Sequence, residues 1–208
     1  MLNNVTDVLS VVLRGSLGRS GRKRARRATS FLTGHRGFLS TSALIGAAGV
    51  AWGIYDTLKA KDQSAIMVPG VQGAGAIPPI PAVFEAALDP VARIIRLAVS
   101  AAKADGTLSD QERAAILAHA REAGLESVVE AELAQTRQLA DIVRGVTDPA
   151  IRKDLYVLAF AIVRADETVS GAERIYLAQL AHQLGLDPAA VQAIEAETSS
   201  KIDSQTEN

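Results

Sequence analysis

Acidic side chains recur at matched positions in two copies of one short motif. Residues 104–113 read ADGTLSDQER and residues 165–174 read ADETVSGAER, with six of the ten positions identical at an offset of 61. Each copy carries an aspartate near its start and a glutamate near its end: Asp105, Glu112, Asp166 and Glu173. Carboxylate oxygens are the ligands that hard cations such as Ca²⁺ prefer. If the two copies meet in the fold, the sequence predicts a divalent-cation site formed by these four residues.

A purely structural role explains the same carboxylates. In both copies a serine precedes the glutamate by three positions, as in a helix capping box, and an acid in the first turn suits the helix dipole. Asp105 and Asp166 fit turns in which a side chain bonds its own backbone. The spacing does not match the calcium loop of an EF-hand. Metal binding and local capping therefore both remain open.

The sequence shows no other pattern that predicts catalysis. There is no cysteine, which excludes disulfides, thiolate metal sites and thiol nucleophiles. The three histidines, His35, His119 and His182, form no pair at helical spacing. No nucleophile elbow, phosphate-binding loop or dinucleotide fingerprint occurs. We therefore expect a protein that is not an enzyme, with a divalent cation as its one candidate cofactor.

The motif copies are predicted to lie between helices. Asp-Pro pairs at 89–90, 148–149 and 187–188 fit helix N-termini, where the aspartate caps and proline occupies the first turn. Gly124 and Gly185 fit helix C-termini. The predicted helices are 83–88, 90–104, 110–123, 127–145 with a possible break near 136, 149–165, 171–184 and 188–199. Since no stretch alternates with period two, we expect no strand.

The repeat predicts an all-α, internally duplicated bundle of about seven helices. One half offers an apolar stripe of Ile94, Ile95, Leu97, Ala98 and Ala101. The other half offers a matching stripe of Leu155, Leu158, Ala159 and Ile162. Neither stripe is buried by its own half alone, so the two halves should pack face to face.

Charge divides the chain unevenly. Residues 1–65 carry ten basic and three acidic side chains, a net charge of +7, whereas the remainder carries a net charge of −8. Residues 14–36 hold eight basic side chains among glycine and serine, most densely at Arg22, Lys23, Arg24, Arg26 and Arg27. This basic segment fits a flexible solvated linker, a contact with an anionic membrane surface, or nucleic-acid binding. Nucleic acid is the least favoured of these, because no nucleic-acid-binding motif accompanies the charge.

An apolar stretch follows at 38–57, in which Asp56, near its end, is the one charged residue. Gly46, Gly49 and Gly53 share one helical face, which allows close approach of another helix. Trp52 and Tyr55 fit a membrane interface. The continuously apolar part, 43–55, is short for a membrane span. A membrane-inserted or re-entrant helix, a helix packed on a partner or on the body, and a poorly ordered segment all remain open.

These patterns divide the chain into four regions. Residues 1–61 form the basic arm and the apolar Gly/Ala-rich helix, and 62–82 form a linker rich in proline and glycine. The helical domain covers 83–200, and a polar tail covers 201–208.

The twin motif, from Lys103 to Arg113 and from Arg164 to Arg174, resembles the TerB-like (tellurite resistance protein B) domain over about 83–200. The basic, then apolar N-terminal half resembles the YebE-type, membrane-associated branch of that family. The resemblance implies an all-helical, duplicated fold in a bacterial protein, an association with tellurite or envelope stress, and metal binding through the motif's four acids. Glu167 departs from the first copy, which has Gly106 there.

Taken together, these expectations describe a non-enzymatic adaptor associated with the inner membrane. Its helical domain would lie in the cytoplasm and bind a protein partner or a second copy, without nucleic acid or a small-molecule substrate. The alternative is a soluble cytoplasmic module that binds metal through the duplicated acidic loops.

Overall fold

A computed structural model describes residues 22–33, 38, 44, 82–106, 108, 110–122, 126–135, 137–165 and 169–205. This part of the chain forms eight helices and no strand, which confirms the all-α class. The helices are α1 (Arg22–Thr33), α2 (Ala82–Ala102), α3 (Asp110–Glu122), α4 (Glu126–Ala134), α5 (Leu139–Ile142), α6 (Pro149–Arg164), α7 (Gly171–Gln183) and α8 (Pro188–Asp203).

Helix α6 lies at the centre of the fold. It contacts α1, α2, α7 and α8, and nine consecutive residues from Leu155 to Val163 are buried. Its start is fixed by Asp148, whose Oδ1 accepts hydrogen bonds from the backbone N–H of Ala150 (2.7 Å) and Ile151 (3.4 Å). A cap of this kind stabilises a helix by about 1 kcal/mol. The predicted Asp-Pro start at 148–149 is therefore confirmed.

The apolar stripes predicted for the two halves are buried. Ile94, Leu97 and Ala98 on α2 and Leu158 and Ala159 on α6 are at most 1% exposed. Alanines in both stripes allow the two helices to approach closely, and α2 and α6 form the most extensive helix pair of the body. The internal duplication itself stays a prediction.

The structure settles two predicted helix boundaries. The break expected near 136 in the predicted helix 127–145 is confirmed, since α4 ends at Ala134 and α5 begins at Leu139. The predicted helix start at 89–90 is wrong, because α2 runs without a break through Asp89 and Pro90. Proline has a φ angle that a helix accepts, and it costs α2 one backbone hydrogen bond that packing elsewhere must offset.

Helix α8 packs against α6. Asp187 caps it by accepting from the backbone N–H of Ala190 at 2.8 Å, and Gly185, at φ +65°, forms the turn before it. Between the two helices the Tyr156 hydroxyl donates to Glu195 Oε1 at 2.6 Å. Burial, followed by this carboxylate, raises the pKa of Tyr156, so the phenol stays neutral.

Helix α1 packs against α6 and α8. It contains the densest basic group of the sequence, Arg22, Lys23, Arg24, Arg26 and Arg27, which we call the basic cluster. Ala28 and Leu32 are fully buried and Phe31 is 6% exposed. The Ser30 hydroxyl donates to Gln205 Oε1 beyond the end of α8, at 3.3 Å. The flexible-linker interpretation of the basic segment 14–36 is therefore wrong for residues 22–33, because an apolar face of this helix packs on the body.

Two positions of the apolar stretch 38–57 are described, and both lie against the body. The ring of Phe38 stacks on Phe31 with centroids 5.8 Å apart, and Leu44 is 4% exposed within the core. Among the residues that the structure describes, no helix is both long enough and apolar enough to cross a membrane.

Candidate functional site

The first motif copy follows α2 as an exposed turn. Asp105 is exposed, and Gly106 has a φ angle of +137° that its backbone freedom permits. The turn is closed by a hydrogen bond from the Gly106 N–H to the Lys103 carbonyl oxygen at 3.0 Å. Glu112 belongs to α3, but its side chain lies outside the described part of the structure, as does Ser109.

The second copy forms the predicted capping box at the start of α7. The backbone N–H of Glu173 donates to Ser170 Oγ at 3.2 Å, and the Ser170 N–H donates to Glu173 Oε2 at 2.6 Å. Glu173 is 5% exposed. One of the four predicted metal ligands is thus engaged in a structural role.

The metal set as a whole stays a prediction. Asp166 lies outside the described residues. Within the part of the chain that is described, no three aspartate, glutamate or histidine side chains come together in a group that could hold a metal ion.

The predicted anionic-surface residues all belong to α1. Arg22, Lys23 and Arg24 form its first turn, Arg26 is exposed, and Arg27 is half-buried beside the core. The Arg27 Nε is buried without a hydrogen-bond partner. The predicted partner-helix residues lie outside the described part of the chain: Gly46, Gly49, Trp52, Gly53 and Tyr55.

The sequence did not reveal a cleft of about 870 Å³ between α2, the α4–α5 region and α7, which residues of the first motif copy and of α3 also line. We call it the cationic cleft. Its charged lining consists of Arg96, Lys103, Arg113, Arg137 and Glu132, a net charge of +3. Its other lining residues are Val99, Ser100, Ala104, Gly106, Leu108, Leu133, Gln135, Gln138, Leu139, Ala140, Ile142, Ala172, Tyr176, Gln179 and Gln183.

Glu132 joins two of these arginines inside the cleft. Its carboxylate accepts from Arg96 Nε at 2.9 Å and from Arg137 Nε at 2.7 Å, and the Glu132 side chain is 7% exposed. Burial would raise the pKa of Glu132. The hydrogen bonds from Arg137 and Arg96 outweigh it and hold the pKa below its ordinary value of 4.5. Glu132 is therefore ionised at neutral pH and neutralises part of the arginine charge.

The other two cations of the cleft are not neutralised in this way. Lys103 Nζ donates to the Leu133 carbonyl oxygen at 3.0 Å, which leaves two of its three N–H groups for another acceptor. Burial, and then the positive charge of Arg113, lowers the pKa of Lys103. Arg113 is exposed, and it forms no salt bridge with a carboxylate among the described residues.

Tyr176 lines the cleft from α7. Its hydroxyl is buried and has no hydrogen-bond partner. Burial raises the pKa of Tyr176. Ser100 acts on that pKa in the opposite direction, although no hydrogen bond of ordinary geometry joins the two side chains. The phenol is therefore neutral, and it adds polarity without charge to this wall.

Comparison with known proteins identifies one family. The chain matches the family described as "Protein of unknown function (DUF533)" over residues 9–198. No curated protein and no solved structure matches the chain.

Proposed function

The chain belongs to the DUF533 family of proteins of unknown function, and we propose that it is a non-enzymatic, membrane-associated adaptor with a TerB-like helical body. Its basic helix α1 contacts the anionic cytoplasmic surface of the inner membrane, and its body binds a protein partner. The resemblance to TerB-like proteins of the YebE type connects this role with tellurite or envelope stress.

The packing of α1 is the observation that carries this proposal. Its apolar face, formed by Ala28, Phe31 and Leu32, is buried on α6 and α8, while Arg26 on the same helix is exposed. The basic cluster is therefore held on a helix that is fixed to the body. A surface bound by α1 would hold the whole body in one orientation.

Charge favours that orientation. Five of the six residues from Arg22 to Arg27 are basic, and each basic residue near an anionic membrane contributes about 1 kcal/mol of attraction. Residues 66–208, in contrast, carry a net charge of −8 and are repelled by the same surface. The molecule should therefore approach anionic lipid with α1 first.

The positions of Phe38 and Leu44 favour peripheral attachment over insertion. Both lie against the body at the start of the apolar stretch. Because these two residues pack on the core, we propose that the protein attaches to the membrane through the basic residues of α1 and not by insertion of the apolar stretch.

The chemistry of the described acids favours a binding role. Glu173 is part of a capping box. Glu132 is held ionised by two arginines, and a general acid or base needs a pKa nearer the working pH. Both carboxylates are thus better suited to holding structure than to transferring protons.

The proposal is tested by sedimentation of the full-length protein with vesicles. We expect it to pellet with vesicles of phosphatidylglycerol and phosphatidylcholine and to be released from them by 1 M salt. It should not pellet with vesicles of phosphatidylcholine alone. Replacing Arg22, Lys23, Arg24 and Arg26 by glutamine should lower partitioning about a thousandfold, at about 1 kcal/mol for each charge.

A control with the same charge change replaces four exposed cations of the body by glutamine: Arg121, Arg144, Arg174 and Lys201. It should partition like the unmodified protein. No pelleting with any vesicle, or an equal loss in both variants, would overturn the proposal. Pelleting on neutral vesicles that resists salt would also overturn it, since it would assign attachment to insertion of 38–57.

A further inference from the structure

The charge of the cationic cleft is opposite to that of the body around it. The described charged lining sums to +3, on a body whose residues 66–208 carry a net charge of −8. Four cations on α2, the turn after it, α3 and the segment after α4 line one cleft because the fold brings these parts together. A concave surface of this charge raises the local concentration of anions and excludes cations.

Lys103 and Arg113 are the two cations available to an incoming anion. The Nε groups of Arg96 and Arg137 are already bonded to Glu132. Lys103 has two N–H donors left, and Arg113 has no salt bridge among the described residues. Arg113 also acts directly on the pKa of Lys103, so the two charges repel and a carboxylate between them would relieve that repulsion.

The rest of the lining suits a peptide. Leu108, Leu133 and Leu139 supply apolar surface, and four glutamines supply donors and acceptors that match backbone amides. The volume of about 870 Å³ lies near the upper end for ligand sites, which run to about 1,000 Å³. Bidentate arginine forks are the groups that favour a phosphate, and Glu132 already occupies the fork of Arg137 and the Nε of Arg96. The balance of groups favours an extended acidic peptide over an isolated phosphate.

We propose that the cationic cleft binds an acidic segment of a partner protein, with carboxylates on Lys103 and Arg113 and apolar side chains on the leucines. This inference rests on the proposed function only in taking the partner to be a protein. It requires neither lipid nor α1.

Fluorescence anisotropy with the full-length protein tests the proposal. The probe is a labelled peptide of glutamate, aspartate and leucine, and its counterpart has glutamine and asparagine in place of the acids. We expect the acidic peptide to bind, the neutral one to bind at least tenfold more weakly, and affinity to fall as salt rises. Arg113→Gln, at an exposed position, should weaken binding about tenfold through the loss of one charge-assisted contact.

Arg174→Gln removes an exposed arginine of α7 that does not line the cleft and should bind like the unmodified protein. Equal loss in the two variants would overturn the proposal, because it would indicate attraction to total charge. Absence of binding at millimolar peptide would overturn it too, as would displacement of the peptide by inorganic phosphate at equal concentration, which would assign the cleft to small anions.

The test contains no membrane, so its failure is distinct from failure of the attachment. Peptide binding without vesicle binding would retain the cleft and remove the role of α1. Vesicle binding without peptide binding would do the reverse.

Discussion

At the scale of single residues, the most informative side chain is Glu132. Its carboxylate is buried among cations that come from α2 and from the segment after α4. Removing a carboxylate from water is costly, and this cost is offset only because two arginines donate to it. Glu132 therefore fixes the position of two arginines and also limits how much positive charge the cleft offers to a ligand.

Replacing Glu132 by glutamine should lower the free energy of unfolding by about 1–2 kcal/mol at pH 7, since charge-assisted hydrogen bonds are lost from a partly exposed arginine pair. The folded-state pKa lies below 4.5, so the folded protein binds fewer protons than the unfolded chain just below that pH. The stability that the pair contributes is complete above about pH 4.5 and is lost as the pH falls through the lowered pKa. Urea unfolding of both proteins at pH 7 and pH 3 measures this.

The difference between the two unfolding free energies should be smaller at pH 3 than at pH 7. An equal difference at both pH values would mean that glutamine disturbs packing and that the charge of Glu132 contributes little.

Residue-level prediction from the sequence succeeded where the partners are close in the chain. Ser170 and Glu173 are three positions apart, and Asp148 adjoins the helix that it caps. Local spacing was therefore sufficient to predict both helix caps. The cationic cleft could not be found in this way. Arg96 and Glu132 are 36 residues apart and meet only because α2 packs against α4.

At the scale of elements, α1 combines a buried face with a strongly basic sequence. Leu32→Ala should lower the free energy of unfolding by about 2–5 kcal/mol, the usual cost of truncating a fully buried leucine. Thermal or urea unfolding followed by circular dichroism measures the change. Arg26→Ala, on the exposed side of the same helix, should remain within about 0.5 kcal/mol.

If Leu32→Ala were as mild as Arg26→Ala, α1 would not share the cooperative unfolding of the body. The sequence left that question open because five basic residues in the dozen from Arg22 to Thr33 would outweigh four apolar ones on composition alone. Ala28, Phe31 and Leu32 nevertheless lie at helical spacing, and α6 and α8 present the apolar surface that binds them.

Proline had opposite effects in two helices. Pro149 lies in the first turn of α6, where its missing N–H costs nothing, and the sequence prediction is confirmed there. Pro90 has the same Asp-Pro signal but lies inside α2, a helix of 21 residues. Local chemistry permits both arrangements, so the Asp-Pro signal alone does not place a helix start.

At the scale of the whole molecule, the body is not complete without its N-terminal part. A chain that starts at Val83 would leave bare the surfaces of α6 and α8 that Phe31 and Leu32 cover. Burial of two such side chains stabilises by about 3–6 kcal/mol before the entropy of ordering α1 is deducted. We expect the truncated chain to melt at a lower temperature than the full chain in differential scanning calorimetry.

A peptide of residues 1–61, added to the truncated chain, should recover part of the lost stability, whereas the same peptide with Phe31 and Leu32 replaced by serine should not. Identical melting temperatures for the full and truncated chains would contradict the packing of α1 described above.

The central position of α6 has a consequence for how the molecule could signal. The same helix packs against α1 and against α2 and α7, which contribute to the cleft. A shift of α6 caused by lipid at α1 would alter the walls that a peptide meets. Coupling between two binding equilibria is reciprocal: whatever factor lipid applies to peptide affinity, the peptide must apply to lipid affinity. A partner bound in the cleft would then raise or lower the affinity of the protein for the membrane, and the protein would respond to both ligands together.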